Sequence, residues 1–221
     1  MIYIFCSHID SDWSESDEEM LKYVSLKRRD KIAKLKSLSQ KKLTLYSALL
    51  VRMQLGKLSG VPNSMLNFET TSKGKPLCKN FDNLFFSFSH TNGFILLAIS
   101  DTEIGADVEL IREISLNVAK RVCVKEELTF INSSINKWKV YHNFFNIWTK
   151  KEAYIKYLGT GLSFDLRKIN VLSEGEINNF RTWKESYDTK QYVCSIYSKN
   201  IGVTDIIPVT PTEIANYFMT E

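Results

Sequence analysis

The chain has 221 residues, of which 44% are hydrophobic, 24% charged and 12% aromatic, and its formal net charge is +4. Such values exclude a disordered chain, and no apolar run approaches the roughly 20 residues needed to span a bilayer. The length suits one large domain or two small ones around a sizeable core.

Residues 1–6 are apolar and read as a strand, followed by Asp10, Asp12, Glu15 and Asp17. That pattern is neither a signal peptide nor a transit peptide, so a cytoplasmic location is expected. The cysteines at 6, 78, 123 and 194 form no Cys-x-x-Cys pair and are expected to be buried thiols. His8, His90 and His142 show no zinc spacing.

Residues 18–58 read as helical with breaks, marked by Ile32, Leu35 and Leu38, then Leu45, Leu49 and Met53. Within them lies a basic run, Lys27, Arg28, Arg29, Lys31, Lys34, Lys36, Lys41 and Lys42, against the single acid Asp30. A solvated helix face would look like this. So would a contact for a phosphate-rich ligand, an acidic protein or a nucleic acid. Aromatic residues are scarce in the run, which disfavours single-stranded nucleic acid.

Residues 60–62 form a turn, and Ser72, Lys73, Gly74, Lys75 and Pro76 form a polar loop. Strands are predicted at 84–88 and 94–99 around a turn at Thr91, Asn92 and Gly93, and again at 104–110. Helical spacing returns at 115–121, 125–131 and 138–158, where Gly159 and Gly161 stop it. Short strands are predicted near 169–172, 192–197 and 202–206, with a helix from about Thr212. Helix-rich then strand-rich order occurs twice. It predicts an α+β fold with two similarly built halves, 1–103 and 104–221, packed into one body.

Two places carry acids where chemistry is expected. On the last long helix, Trp138, Tyr141, Phe145, Trp148, Glu152 and Ile155 recur three or four residues apart. Glu152 is the one carboxylate on that apolar stripe and needs a partner there. Lys156, one turn on, is one candidate and a bound cation is another. On the predicted strand, Asp107 and Glu109 share a face, roughly 6.5–7 Å apart. Asp107, Glu109 and Glu152 together would make an all-oxygen site, which suits Mg²⁺. Ser89 and His90 end a strand without the Gly-x-Ser-x-Gly elbow of a hydrolase, and their hydroxyl and imidazole suit phosphate better.

In order, the chain carries Arg28-Arg29-Asp30-Lys31, Thr44-Leu45 through Leu50-Val51-Arg52, Gly74-Lys75-Pro76 and Phe88-Ser89-His90. Gly105-Ala106-Asp107-Val108-Glu109, Phe144 through Lys156, and Gly159-Thr160-Gly161-Leu162 follow. This ordered set resembles the 4′-phosphopantetheinyl transferases, in particular the long, monomeric surfactin-synthetase-activating type, over roughly residues 1–165.

The resemblance implies two α/β halves related by pseudo-twofold symmetry, with coenzyme A between them. It implies Mg-dependent transfer of phosphopantetheine from coenzyme A to a serine of an apo acyl or peptidyl carrier protein, releasing 3′,5′-ADP. The carrier would serve fatty-acid, polyketide or nonribosomal-peptide synthesis. By position, Asp107, Glu109 and Glu152 would hold Mg²⁺. Arg28, Lys31 and His90 would bind phosphates, and Thr44, Lys75 and Ser89 would line the coenzyme site. Lys156 would contact the pyrophosphate, and Glu152, or a water held by Asp107, would act as base. Ala106 replaces the usual Ile or Val, and Leu43 stands where relatives often carry Arg. Neither a membrane nor a nucleic acid is an expected partner. Two other classes fit parts of the sequence. One is a non-catalytic relative that binds carrier proteins. The other is a basic nucleic-acid-binding module, which would leave the three acids without a task.

Overall fold

A computed structural model describes residues 1–161, 164–202 and 205–220. Strand β1 (Ile2–His8) leads into α1 (Glu15–Met20), α2 (Leu26–Ala33) and α3 (Leu38–Ser59). The basic run is therefore split between two helices, and Lys42 is buried inside the N-terminal half. Ser37 opens α3 by accepting from the Gln40 amide, and Gly60 closes it in the left-handed conformation at φ 71°. Nearly every side chain from Lys42 to Gly56 is buried, so α3 is a core helix rather than an amphipathic one.

Next come a small hairpin, β2 (Phe68–Thr70) and β3 (Pro76–Cys78), and a longer one, β4 (Phe85–Thr91) and β5 (Phe94–Ser100). The second turns through Asn92 and Gly93, at φ 43° and 84°. This is the pair of left-handed residues that a tight right-twisted hairpin requires. Strand β6 (Gly105–Leu110) is followed by α4 (Asn117–Val122), α5 (Lys125–Ile131) and α6 (Lys137–Leu158). Asn136 caps α6 at its start, and Gly159 ends it at φ 65°. A short α7 (Glu174–Ile177), the hairpin β7 (Phe180–Tyr187) and β8 (Lys190–Tyr197), β9 (Ile206–Pro208) and α8 (Pro211–Met219) complete the α+β chain. No helix among the described residues is long and apolar enough to cross a membrane.

One sheet runs β4-β5-β1-β9 and the other β6-β8-β7, with α6 lying across β6 and β8. The last segment returns to the first half: β9 pairs in parallel with β1, and α8 packs on α3. The sheets meet where β4 lies beside β6, joined by side chains instead of a backbone ladder. The Ala106 amide donates to Ser87 Oγ at 3.0 Å, and Ser89 Oγ donates to Asp107 Oδ1 at 2.8 Å.

Three elements differ from the sequence expectation. Residues 169–172 are irregular rather than a strand, because a buried ion pair ties them down: Lys151 donates to the Ile169 carbonyl and Glu127 accepts from the Val171 amide. The strand at 180–187 has polar Arg181, Lys184 and Glu185 along an edge and lacks a clear apolar alternation. The strand expected near 202–206 starts only at Ile206, and Val203 and Thr204 lie outside the described residues, as does Leu162. All four cysteines are buried free thiols, and burial pushes those of Cys6 and Cys123 up to about 12.

Candidate active site

The acidic end of the site begins with a glycine. A Cβ on Gly105 would collide with the Ala153 carbonyl and come within 2.6 Å of the Tyr157 amide. Glycine thus lets β6 lie directly against the backbone of α6. Asp107, two residues on, is 5% exposed. Its Oδ1 accepts from Ser89 Oγ at 2.8 Å and from Lys156 Nζ at 2.7 Å. Its Oδ2 is buried with no hydrogen-bond partner. Glu109 lies half-buried on the same strand and pairs with Arg112 at 3.1 Å. The guanidinium of Arg112 is itself stacked over Phe145 at 5.0 Å.

Glu152 comes down from α6 onto this pair. Burial first, then the charge of Asp107, raises its carboxyl above the usual range; Lys156 pulls the other way and Glu109 adds to the rise. Burial and Asp107 raise Glu109 likewise. Three acids therefore feel one another. Lys156 gives its ammonium to Asp107 and not to Glu152, so the i,i+4 pairing that the helix spacing allows is not made. Among the described residues, no three acidic, imidazole or thiol groups are gathered closely enough to hold a metal ion as they stand. The donor set still fits a hard cation. It is all oxygen, one of those oxygens is buried without a partner, and burial followed by the charge of Asp107 raises two of the carboxyls.

The basic end follows from the alternation of β4. Ser87 and Ser89 point to β6, whereas Phe86, Phe88 and His90 point the other way, into a cleft. Phe86 and Phe88 line a 230 Å³ cavity together with Arg28, Lys31, Arg52 and Pro76. They also line a 210 Å³ cavity with Lys75, Lys156, Gly159 and Gly161. His90 lies in an 820 Å³ cavity with Lys31, Thr44, Tyr187 and Lys190. Shared walls join these into one groove that runs from Lys156, the partner of Asp107, to the α2–α3 face.

His90 reports the field in that groove. Although it faces the opening, the cleft walls, then Lys156, Lys31 and Arg28, push its imidazole down to about 4. Burial also lowers the guanidinium of Arg28. Lys75 is committed elsewhere: its ammonium is held by Glu103 and by the Tyr157 carbonyl at 2.9 Å, so it braces the C-terminal turn of α6 while its stem lines the groove. Three further residues contribute. Arg52 is stacked on Phe68 at 4.7 Å and bonded to Asn63 Oδ1 at 2.8 Å, and burial, with Arg28 adding to it, lowers its guanidinium. Arg112 neutralises Glu109, and Ser87 ties β4 to β6. A half-buried arginine on an otherwise apolar helix face was the available signal for Arg52.

Two family profiles match the chain in succession. One, described as the N-terminal part of 4′-phosphopantetheinyl transferase, covers residues 11–102. The other, the 4′-phosphopantetheinyl transferase superfamily, covers residues 103–204. The chain belongs to the 4′-phosphopantetheinyl transferase superfamily. Among its relatives, 4′-phosphopantetheinyl transferase psf-1 of Bacillus pumilus is 28% identical over 75% of this chain and 71% of that protein. The transferase Sfp of Bacillus subtilis strain 168 is 29% identical over 71% of this chain and 70% of its own length. The transferase gsp of Aneurinibacillus migulanus is 34% identical over 54% of this chain and 49% of itself. In this phosphopantetheinyl transferase the groove thus has walls from the regions matched by both profiles, with Arg28, Lys31 and Arg52 at one end and Lys156, bound to Asp107, at the other.

Proposed function

We propose that this phosphopantetheinyl transferase moves the 4′-phosphopantetheine group of coenzyme A, the family's substrate, to a serine of an apo acyl or peptidyl carrier protein. The products are the holo carrier and 3′,5′-ADP. The observation that carries this reading is that Lys156, which holds Asp107 beside Glu109 and Glu152, lines one end of a groove whose other end holds Arg28, Lys31 and His90. Coenzyme A has the matching form: a pyrophosphate in the middle and a 3′-phosphate at the nucleotide end.

Asp107, through its free Oδ2, with Glu109 and Glu152 would hold Mg²⁺. Bound there, the ion supplies positive charge to the pyrophosphate and to the leaving phosphate. Arg28 and Lys31 bind phosphate oxygens with permanent charge, and Arg28 can do so through two parallel N–H bonds. His90, neutral in the free protein, offers one ring N–H and gains a second on protonation beside a phosphate. Thr44 and the stem of Lys75 line the path, and Ser89 fixes the rotamer of Asp107.

In the transfer, the carrier's serine Oγ bonds to the phosphorus that bears the pantetheine arm. The bond from that phosphorus to the bridging oxygen breaks, and 3′,5′-ADP leaves with the electron pair. Lys156 faces the leaving oxygen with its ammonium. The serine proton goes to a Glu152 Oε, or to a water held by Asp107. The rise that burial imposes on Glu152 strengthens it as a base. The nucleophile belongs to the partner, so positioning and charge do most of the work. We further propose a cytoplasmic monomer whose first half, residues 1–103, is completed by β9 and α8, so that the second half begins at residue 104 and does not run to 221.

Incubating the protein with coenzyme A, Mg²⁺ and several apo carriers, followed by intact-mass analysis, tests this. A gain of about 340 Da on a serine, the mass of the transferred group, with equimolar 3′,5′-ADP, is expected. A folded protein that binds carriers without mass gain would favour a non-catalytic relative instead.

A further inference from the structure

Lys42 belongs to the basic run yet is 7% exposed. Its ammonium donates to Asp10 Oδ1 at 2.7 Å and to the Asp12 carbonyl at 2.6 Å, and lies 3.3 Å from Asp17 Oδ2. Three oxygens for three N–H groups leave the ammonium saturated. Tyr46, one turn along α3, donates to Asp17 Oδ1 at 2.8 Å and secures the same acid. The start of α3 thus holds the segment between β1 and α1 at several points.

The ends of that segment are held by the burial of Ile9 in the core and by Trp13, whose indole donates to Glu18 at 3.1 Å, and Lys42 anchors the middle. Residues 9–13 belong to no helix or strand, and Ile9 meets the hairpin turn through one bond, its amide to the Gly93 carbonyl at 2.7 Å. Ile9, Asp10 and Ser11 form one wall of the 820 Å³ cavity, facing Lys31, Thr44 and His90. Thr44 follows Lys42 by two residues on the same helix, so one short stretch of α3 both lines the cavity and anchors its opposite wall. Asp10, 62% exposed, would otherwise carry an unpaired negative charge into a cavity that takes phosphates.

We infer that Lys42 is a positioning residue for coenzyme A: it pins the 9–13 loop as the far wall of the phosphate cavity and neutralises Asp10 there. This rests on the groove being the coenzyme site. None of the hydrogen bonds of Lys42 reaches Asp107, Glu109, Glu152 or Lys156. Its loss therefore acts on coenzyme binding and leaves the chemical step intact.

The test compares wild type, Lys42→Met, Lys42→Arg and the surface control Lys34→Met, using coenzyme A titration, KM and kcat with one apo carrier, and amide exchange. Lys42→Met raises KM for coenzyme A tenfold or more with kcat within twofold. Exchange at residues 10–13 speeds up while α3 stays protected, Lys42→Arg recovers most of the loss, and Lys34→Met behaves as wild type. An unchanged KM in folded Lys42→Met overturns the inference, as does a joint loss of kcat and of α3 protection. If Lys42→Met does not fold, Asp10→Ala removes the acceptor at the exposed end of the anchor and leaves Asp17 paired; exchange at residues 10–13 speeds up, and unchanged exchange there overturns the inference. A wild-type protein that binds no coenzyme A removes the reading of the groove itself, an outcome distinct from equal binding by wild type and variant.

Discussion

Two charge clusters lie little more than a turn apart on α6, and they are built on opposite principles. At Lys151, buried to zero exposure, the ammonium meets Glu127 at 2.8 Å and the carbonyls of Leu166 and Ile169 at 2.7 Å each. Glu127 in turn accepts from the amides of Val124 at 2.9 Å and Val171 at 3.0 Å. Every polar atom there has a partner, and the cluster ties α5, α6 and the 164–171 loop together. At Lys156 the ammonium pairs with Asp107 alone, one oxygen of that acid is orphaned, and burial beside Asp107 pushes Glu109 and Glu152 toward neutrality. The first cluster belongs to the fold. The second carries an excess of carboxylate, as expected of a site that awaits a cation.

Breaking the saturated cluster should have the largest effect. Glu127→Ala leaves Lys151 buried and unpaired, and the expected loss is about 3–5 kcal/mol in chemical unfolding. A loss under about 1 kcal/mol, the range of an exposed pair, would mean that the ion pair is not structural. Next in size is Gly105→Ala. The new methyl must push α6 off β6, at about 1–3 kcal/mol, and it moves Glu152 relative to Asp107. Transfer should fall much further than stability does, and equal losses of both would show that the close packing serves the fold alone.

The sign reverses at the unsaturated cluster. Glu152→Gln removes one of three mutually repelling charges, so the metal-free variant should gain about 1 kcal/mol, roughly 2–4 °C in Tm, while transfer is abolished. A drop in Tm would mean that Glu152 is paired and not strained. The smallest effect concerns His90. Its imidazole sits at about 4 in the folded protein, below the usual His value, so the unfolded chain binds the extra proton first. Its contribution to stability is present above about pH 6.5 and is lost as pH falls toward 4. His90→Gln should flatten that part of the stability profile. In an NMR titration the imidazole should move upward when 3′,5′-ADP is added, and an unmoved value would take His90 out of the phosphate site.

What the sequence disclosed follows the range of the interactions. Gly60 and Gly159 act within one turn, and Asn92-Gly93 acts within one hairpin, so these two helix ends and the turn were legible. The shared face of Asp107 and Glu109 and the odd place of Glu152 were legible as periodicity. Their partners were not. Lys156 turns to Asp107 across 49 residues, Lys75 to Tyr157 across 82, and Lys42 to Asp10 across 32. No local spacing announces such pairs, and so Lys42 looks like surface in the sequence. The irregular 169–172 segment is the same lesson, since an apolar run that resembles a strand is held by Glu127 and Lys151 from elsewhere.

The difference between the clusters can be measured most directly by thermal unfolding of the metal-stripped protein with saturating coenzyme A, titrated with Mg²⁺. Wild type should rise in Tm with Mg²⁺, Asp107→Ala and Glu152→Gln should stay flat, and a variant outside the site such as Lys34→Met should follow wild type. An equal rise in wild type and in folded Glu152→Gln would contradict the assignment of the unsaturated carboxylates as the seat of the chemistry.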